Sequence, residues 1–435
     1  MKSKPSVVAS RFFGTLVLLY FTFGCGILKK EYPLVLIEKS PASVYPYAQV
    51  EPSIAINPNN TNELIAGTVM NDYYFSTDGG RSWTSEIIES KFGVGGDPVL
   101  HIDEKGRYYY VHLSDPDDGF RLDRIVCQYS DTITGTDWND VATEPVGTKA
   151  QDKPWIAECP KTGNLYLTWT QFDAYDSDAP QDSSIIVFSK STNRGVTWSK
   201  PKRISKYAGD CLDGNNTVEG AVPAVNSKGE IYVTWTGPHG IRVNKSEDFG
   251  ETWLTEERKV APHPGGWSFD VPGIFRTNGL PISKVDCSGG PNDGRIYVNW
   301  SDQRNGKEDT DIWLTYSDDN GNTWEPAIRV NQDQAGKHQF FTWMDIDQTT
   351  GVLYFVYYDR RNYSDTHTDV YFTFSKDGGN SFKEKRLNKK PFKPNPELFF
   401  GDYINITAHD GTIRPIWCEM HEGKIKLYTS LIDLD

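Results

Sequence analysis

Proton-transfer chemistry needs acidic groups in unlike surroundings, and four places in this chain supply them beside a proline or a tyrosine. Glu51 precedes Pro52, Asp97 precedes Pro98, Asp152 and Lys153 precede Pro154, and Asp402 precedes Tyr403. Two such carboxylates, or a carboxylate with Tyr403, could break a glycosidic bond if their environments push their pKa values apart. Glu51, Asp97, Asp402 and Tyr403 are therefore the candidate catalytic residues. Cations stand in separate stretches, Asp302-Gln303-Arg304 and Asp359-Arg360-Arg361, with His338 nearby in sequence. Arg304, Arg360 and Arg361 could hold a sugar carboxylate or sulfate as bidentate forks, helped by Lys153 and His338. Two other readings use the same residues. The acids could hold a hard cation such as Ca²⁺, which prefers carboxylate oxygens. Alternatively, the Asp and Arg residues are salt bridges between structural units, and the acids before proline cap neighbouring strands.

Most of the chain separates Glu51 from Asp402, so repeated elements must bring them together. Seven runs rich in β-branched and aromatic residues serve: residues 63–69, 107–113, 164–170, 230–236, 295–301, 352–358 and 412–418. Each has strand length and follows a turn containing Gly, Asn or Asp, before which lies another apolar strand. Between these pairs an octet recurs, Ser-x-Asp-x-Gly-x-Thr-Trp. It is clearest at residues 246–253 and 317–324, looser at 76–83, 191–198 and 375–382, and degenerate at 130–138. The separations are 54, 61, 55, 71 and 58 residues, a period that marks a repeat architecture. The Asp accepts backbone N–H bonds, the Gly supplies positive φ, and the Trp buries apolar area between units. Each unit is then strand, turn, strand, loop, strand, octet, strand: the four-stranded blade of a propeller.

The octet resembles the Asp-box, or BNR, repeat of sialidase-like β-propellers, and the resemblance covers nearly all of residues 32–435. It implies an all-β fold. Seven second strands against six octets argue for seven blades, six being the alternative. The last unit lacks an outer strand, and Pro33 to Ile37 would supply it, closing the ring. In such a ring the acids begin the innermost strands, on the face opposite the octets. The family includes glycosidases, lyase-like proteins, assembly factors and receptors, so the fold alone does not give function. Sialidases carry an arginine in an Arg-Ile-Pro-type motif near the first blade. The matching stretch, residues 47–52, has none, so the sialidase arginine triad is not carried over. Asp152-Lys153-Pro154-Trp155 is similar to a motif of exported bacterial BNR proteins, and seven-bladed polysaccharide lyases and rhamnosidases are similar in architecture. The expectation is a sialidase-like glycoside hydrolase or lyase acting on an acidic extracellular glycan; the alternative is a non-catalytic glycan-binding or assembly module.

Residues 1–24 read as an export signal, with Lys2, Lys4 and Arg11 before a short apolar core. Gly24-Cys25 resembles a bacterial lipobox, which implies lipidation of Cys25 and a tether at 25–31. The expected location is the outer membrane or cell surface, or else the periplasm or medium. Loss of three cations with the signal takes the net charge from −14 to −17. That balance excludes a nucleic-acid partner, whose phosphates need a basic footprint. A monomer is expected. The cysteines beyond Cys25 are Cys127, Cys159, Cys211, Cys287 and Cys418; none has metal-site spacing, at least one must lack a partner among them, and they read as buried thiols, with one disulfide as the alternative.

Overall fold

Short apolar strands joined by tight turns can bury both faces only by stacking as sheets around an axis. The computed structural model describes Met1 and residues 31–38, 49–117, 121–134 and 137–434; the expected signal, lipobox and Cys25 lie outside them. Strands are the only regular elements among the described residues. The unit Tyr32–Asp435 is separate from Met1–Glu31. It holds seven blades, whose innermost strands are Ser53–Asn57, Gly96–Ile102, Ala150–Glu158, Glu219–Val225, Ile282–Val285, Gln339–Asp347 and Asn405–His409. Each blade is antiparallel, and blades 1 to 6 run outward in chain order. In blade 2 the fourth position is marked by the bridges Val126↔Ala142 and Tyr129↔Asn139.

Blade 7 takes its outer strand from the N-terminal side, as expected. Leu34–Ile37 pairs with Lys424–Ser430, from Leu34↔Ser430 to Ile37↔Leu427. The six-bladed alternative is excluded. Second strands carry the core: Trp169, Trp235, Trp300 and Trp417 are all fully buried there.

The Asp boxes form the local turns expected of them. In blade 4, Asp248 Oδ1 accepts from Thr252 N at 2.8 Å, and Ser246 Oγ accepts from Gly250 N at 2.8 Å. Trp253 meets Phe188 of blade 3 edge-on at 4.9 Å. Boxes also lock neighbouring blades: Arg194 grips Asp103, in the first turn of blade 2, at 2.7 and 2.9 Å. Boxes and first turns therefore share a face, which leaves the opposite face to the loops entering the innermost strands.

That entry is bent. Ladder register shifts where the innermost strands of blades 2, 3, 4 and 6 begin. Asp97, Lys153, Gly220 and Phe341 sit there at φ of 51, 52, 74 and 51°, with Glu51 at 53° in blade 1. A bulge re-aims side chains, and a non-glycine residue held at positive φ costs about 1–3 kcal/mol. Strain repeated around one rim marks the place where side chains are being pointed.

Across the axis, Trp155 packs on Trp343 at 4.3 Å and on Tyr403 at 5.3 Å. These three rings, from blades 3, 6 and 7, divide the channel. On the Asp-box side remains a funnel of about 440 Å³. On the other side lies the acidic cluster.

Candidate active site

Ring closure gathers the heads of five innermost strands. Glu51, Asp97, Asp152, Lys153, Glu219, Asp402 and Tyr403 are all buried there. Two loops complete the group. The loop between blades 3 and 4 adds Asp213. A longer insertion between blades 4 and 5, built on the small hairpin Ser268–Phe269 and Thr277–Asn278, adds Arg276 and Asn278.

Asp402 is the centre. Lys153 Nζ donates to its Oδ2 at 2.6 Å, and Arg276 grips it bidentately, Nε to Oδ1 at 2.8 Å and Nη2 to Oδ2. Its backbone is held too: Asp402 N donates to Glu51 Oε1 at 3.1 Å, and Asn278 Nδ2 donates to Asp402 O at 2.9 Å. Lys153 also lies 3.5 Å from Asp97. Arg276 Nη1 reaches Asp213 at 3.3 Å, and Tyr175 donates its hydroxyl to the same carboxylate at 2.8 Å. Tyr403 donates to Pro98 O at 3.2 Å.

Six carboxyl groups against two cations cannot all ionise out of water. Burial would raise Asp402, but Lys153 and Arg276 hold it at about 2. Burial pushes Asp152 up to about 8, against the pull of Lys153. Burial also lifts Glu51 well above the carboxylate range, Asp97 adding to it. Glu219 rises for the same reason, with Asp213 next to it; neither Glu219 oxygen has a donor, so a protonated Glu219 can donate to Asp213. The mouth thus holds one fixed carboxylate, Asp402, beside three acids that burial keeps neutral, Glu51, Asp152 and Glu219.

Four of the sequence candidates, Glu51, Asp97, Asp402 and Tyr403, meet here with Lys153. The cationic candidates have other contacts. Arg304 grips Asp302, two residues away in its own blade, and its guanidinium lies 3.9 Å from the Trp313 ring centroid. Arg361 is divided between Asp359 and Glu384. Each of these three ion pairs lies inside a single blade, the first in blade 5 and the other two in blade 6, not between blades as the salt-bridge reading supposed. His338 bonds Thr310 Oγ1 at 3.0 Å. Arg360, expected in the same pocket, instead donates to Pro272 O at 2.5 Å and Thr368 Oγ1 at 3.1 Å. It braces the insertion that delivers Arg276, so Arg276 stands where Arg360 was expected. Among the described residues no group of three or more His, Cys, Asp or Glu side chains could hold a metal ion. The oxygens of Asp402 already face Lys153 and Arg276, which leaves the Ca²⁺ reading little room. Cys127, Cys159, Cys211, Cys287 and Cys418 are free thiols.

Sequence reasoning missed Glu219, Asp213 and Arg276. The signal for Glu219 was present: it begins the innermost strand of blade 4, where Glu51 and Asp97 begin theirs. Asp213 and Arg276 lie on loops outside the repeat and had no such signal.

No protein-family model matches the chain, and no curated protein does. Solved structures match over nearly the whole propeller. An ulvan lyase bound to a GlcA(1-4)Rha3S saccharide is 14% identical, with TM-score 0.52 over 89% of this chain and 95% of the lyase. The Fusarium graminearum α-L-arabinofuranosidase Arb93A is 13% identical, with TM-score 0.50 over 93% and 98%. A Hadza microbial sialidase is 14% identical, with TM-score 0.49 over 86% and 73%. At these identities the likeness is one of fold.

Proposed function

We propose that the protein is an exported carbohydrate-active propeller, a glycoside hydrolase or lyase acting on an acidic extracellular glycan. The supporting observation is the split among carboxyl groups at one mouth. Asp402 is held ionised at about 2, while Asp152 is held neutral up to about 8. Such pairs supply acid and base at one pH. In this reading Asp152, Glu51 or Glu219 donates the proton to the leaving oxygen, while an ionised carboxylate of the mouth takes a proton from the water that adds to the sugar carbon in a hydrolase, or from the ring C–H in a lyase. Asp402, with Lys153 and Arg276, fixes the local charge, and the Trp155, Trp343 and Tyr403 rings exclude water from below. The glycan-acting neighbours agree with this in fold. Export follows from the reading of residues 1–24, with Cys25 as the lipid attachment point; intact-mass analysis of membrane-associated protein checks it.

A binding-only module is the second reading, favoured by the engagement of both Asp402 oxygens by Lys153 and Arg276. The deciding experiment incubates the purified chain with charged and neutral polysaccharides and follows reducing ends and unsaturated products. Turnover that Glu219→Gln or Asp152→Asn reduces at least 100-fold supports the enzyme. Saturable binding with no product supports the module.

A further inference from the structure

A second feature on this face is basic. Along blade 4 an open cleft of about 560 Å³ is lined by Arg242, Lys259 and His239, with Asn215, Asn216 and the Gly265 loop as walls, and no carboxylate lines it. In a chain with 59 acidic and 45 basic residues, a pocket lined by an arginine and a lysine and by no acid stands out. Arg242 and Lys259 are cross-strand partners. Like charges placed opposite each other destabilise a sheet. Among the described residues neither side chain has an ion-pair partner, and Arg242 Nε is buried with no hydrogen-bond acceptor. A buried donor left without an acceptor keeps the cost of its lost hydration. An anion in the cleft would relieve both penalties.

The walls are fixed. Asn215 Nδ2 donates to Gly265 O at 3.3 Å, and Asn215 Oδ1 accepts from Ser268 N at 2.7 Å. Gly266 sits at φ +83°, and a Cβ there would come within 2.2 Å of the Asn215 side chain. The cleft is also tied to the acidic mouth: residues 213–216 run from one to the other, and Ser268 opens the hairpin that carries Arg276.

We infer that Arg242, Lys259 and His239 form an anion subsite for a sulfate or carboxylate group on a sugar unit beyond the one at Asp402. This rests on the glycan reading above. It assigns the acidic group to cations that have no partner of their own, in place of Arg304 and Arg361, which have theirs.

The test is calorimetric titration of the full chain with three oligosaccharides of equal length: sulfated without uronate, uronate without sulfate, and uncharged. The wild type binds at least one anionic oligosaccharide tenfold or more tightly than the uncharged one, and the arm that binds identifies the group. Arg242→Gln with Lys259→Gln removes that preference and leaves the uncharged affinity unchanged. Lys259→Gln alone, on an exposed side chain, gives a partial loss in a fold that melts like the parent. An anionic preference that survives the double variant, or no preference in the wild type, overturns the subsite. Because binding is read and not turnover, a subsite that holds without product formation sinks only the enzyme reading. Turnover with unchanged anion affinity sinks only the subsite.

Discussion

Asp402 is an ion with two cations on it, and Asp152, at the same mouth in blade 3, is an acid kept neutral by burial; substitution separates their roles. Asp402→Asn removes the charge that Lys153 and Arg276 face. Breaking one side of a buried pair costs about 3–5 kcal/mol. The variant is expected to melt well below the parent and to lose any turnover, checked by calorimetry and product assay. Asp152→Asn should behave in the opposite way. A carboxyl whose folded pKa is raised binds its proton in the native state where the unfolded chain has released it. Stability therefore falls as pH rises from about 4, the ordinary Asp value, toward the folded value of about 8. Asn carries no such penalty and keeps an oxygen for the Lys153 N–H. The melting temperature of the variant relative to wild type should thus climb by several degrees between pH 5 and pH 9. A flat difference across that range would show that Asp152 is ionised throughout. Asp402 contributes with the other sign: its folded value of about 2 lies below the ordinary one, so its stabilisation is present above pH 4 and lost as pH falls toward 2.

At the scale of elements, the Asp box and the insertion between blades 4 and 5 do different work. Trp253 is only partly buried, against Phe188 of the preceding blade. Trp253→Ala should cost about 2–3 kcal/mol, somewhat less than a fully buried aromatic, and leave glycan binding as it was. Arg360 is 3% exposed and donates to Pro272 of the insertion. Arg360→Ala should raise the KM of any substrate through a displaced Arg276 while kcat changes less. The same division explains what could be read from sequence. Box and strand spacing are fixed by the blade, so seven sheets and the faces of Glu51, Asp97 and Asp402 followed from the repeat. Glu219 was readable in the same frame and was passed over. The contacts of Arg276 and Arg360 were not readable, because insertion length is free of the repeat and a guanidinium reaches whichever carboxylate or carbonyl the loop presents. Arg304 and Arg361 show the converse: an Asp two residues earlier on the same blade satisfies each fork before any ligand can.

For the whole molecule, the contact between Leu34–Ile37 and Lys424–Ser430 closes the ring. Tyr32 extends it onto blade 6, edge-on to Phe372 at 6.1 Å. Deleting residues 31–38 leaves an unpaired strand edge on blade 7, a template for pairing with other chains. The truncated protein is expected to melt lower and to form soluble oligomers, which calorimetry and light scattering would report; a monomer with the parent's melting temperature would mean that blade 7 stands without its clasp. The clasp also sets a clock. At about 5–20 residues per second, the strand near residue 35 leaves the ribosome some 20–80 seconds before its partner near residue 427 exists. No other blade waits so long, since each of the rest is made from one continuous stretch. The last blade therefore cannot be completed during most of synthesis, and until its innermost strand, Asn405–His409, is made the chain is an open arc without Asp402 and Tyr403 at its mouth.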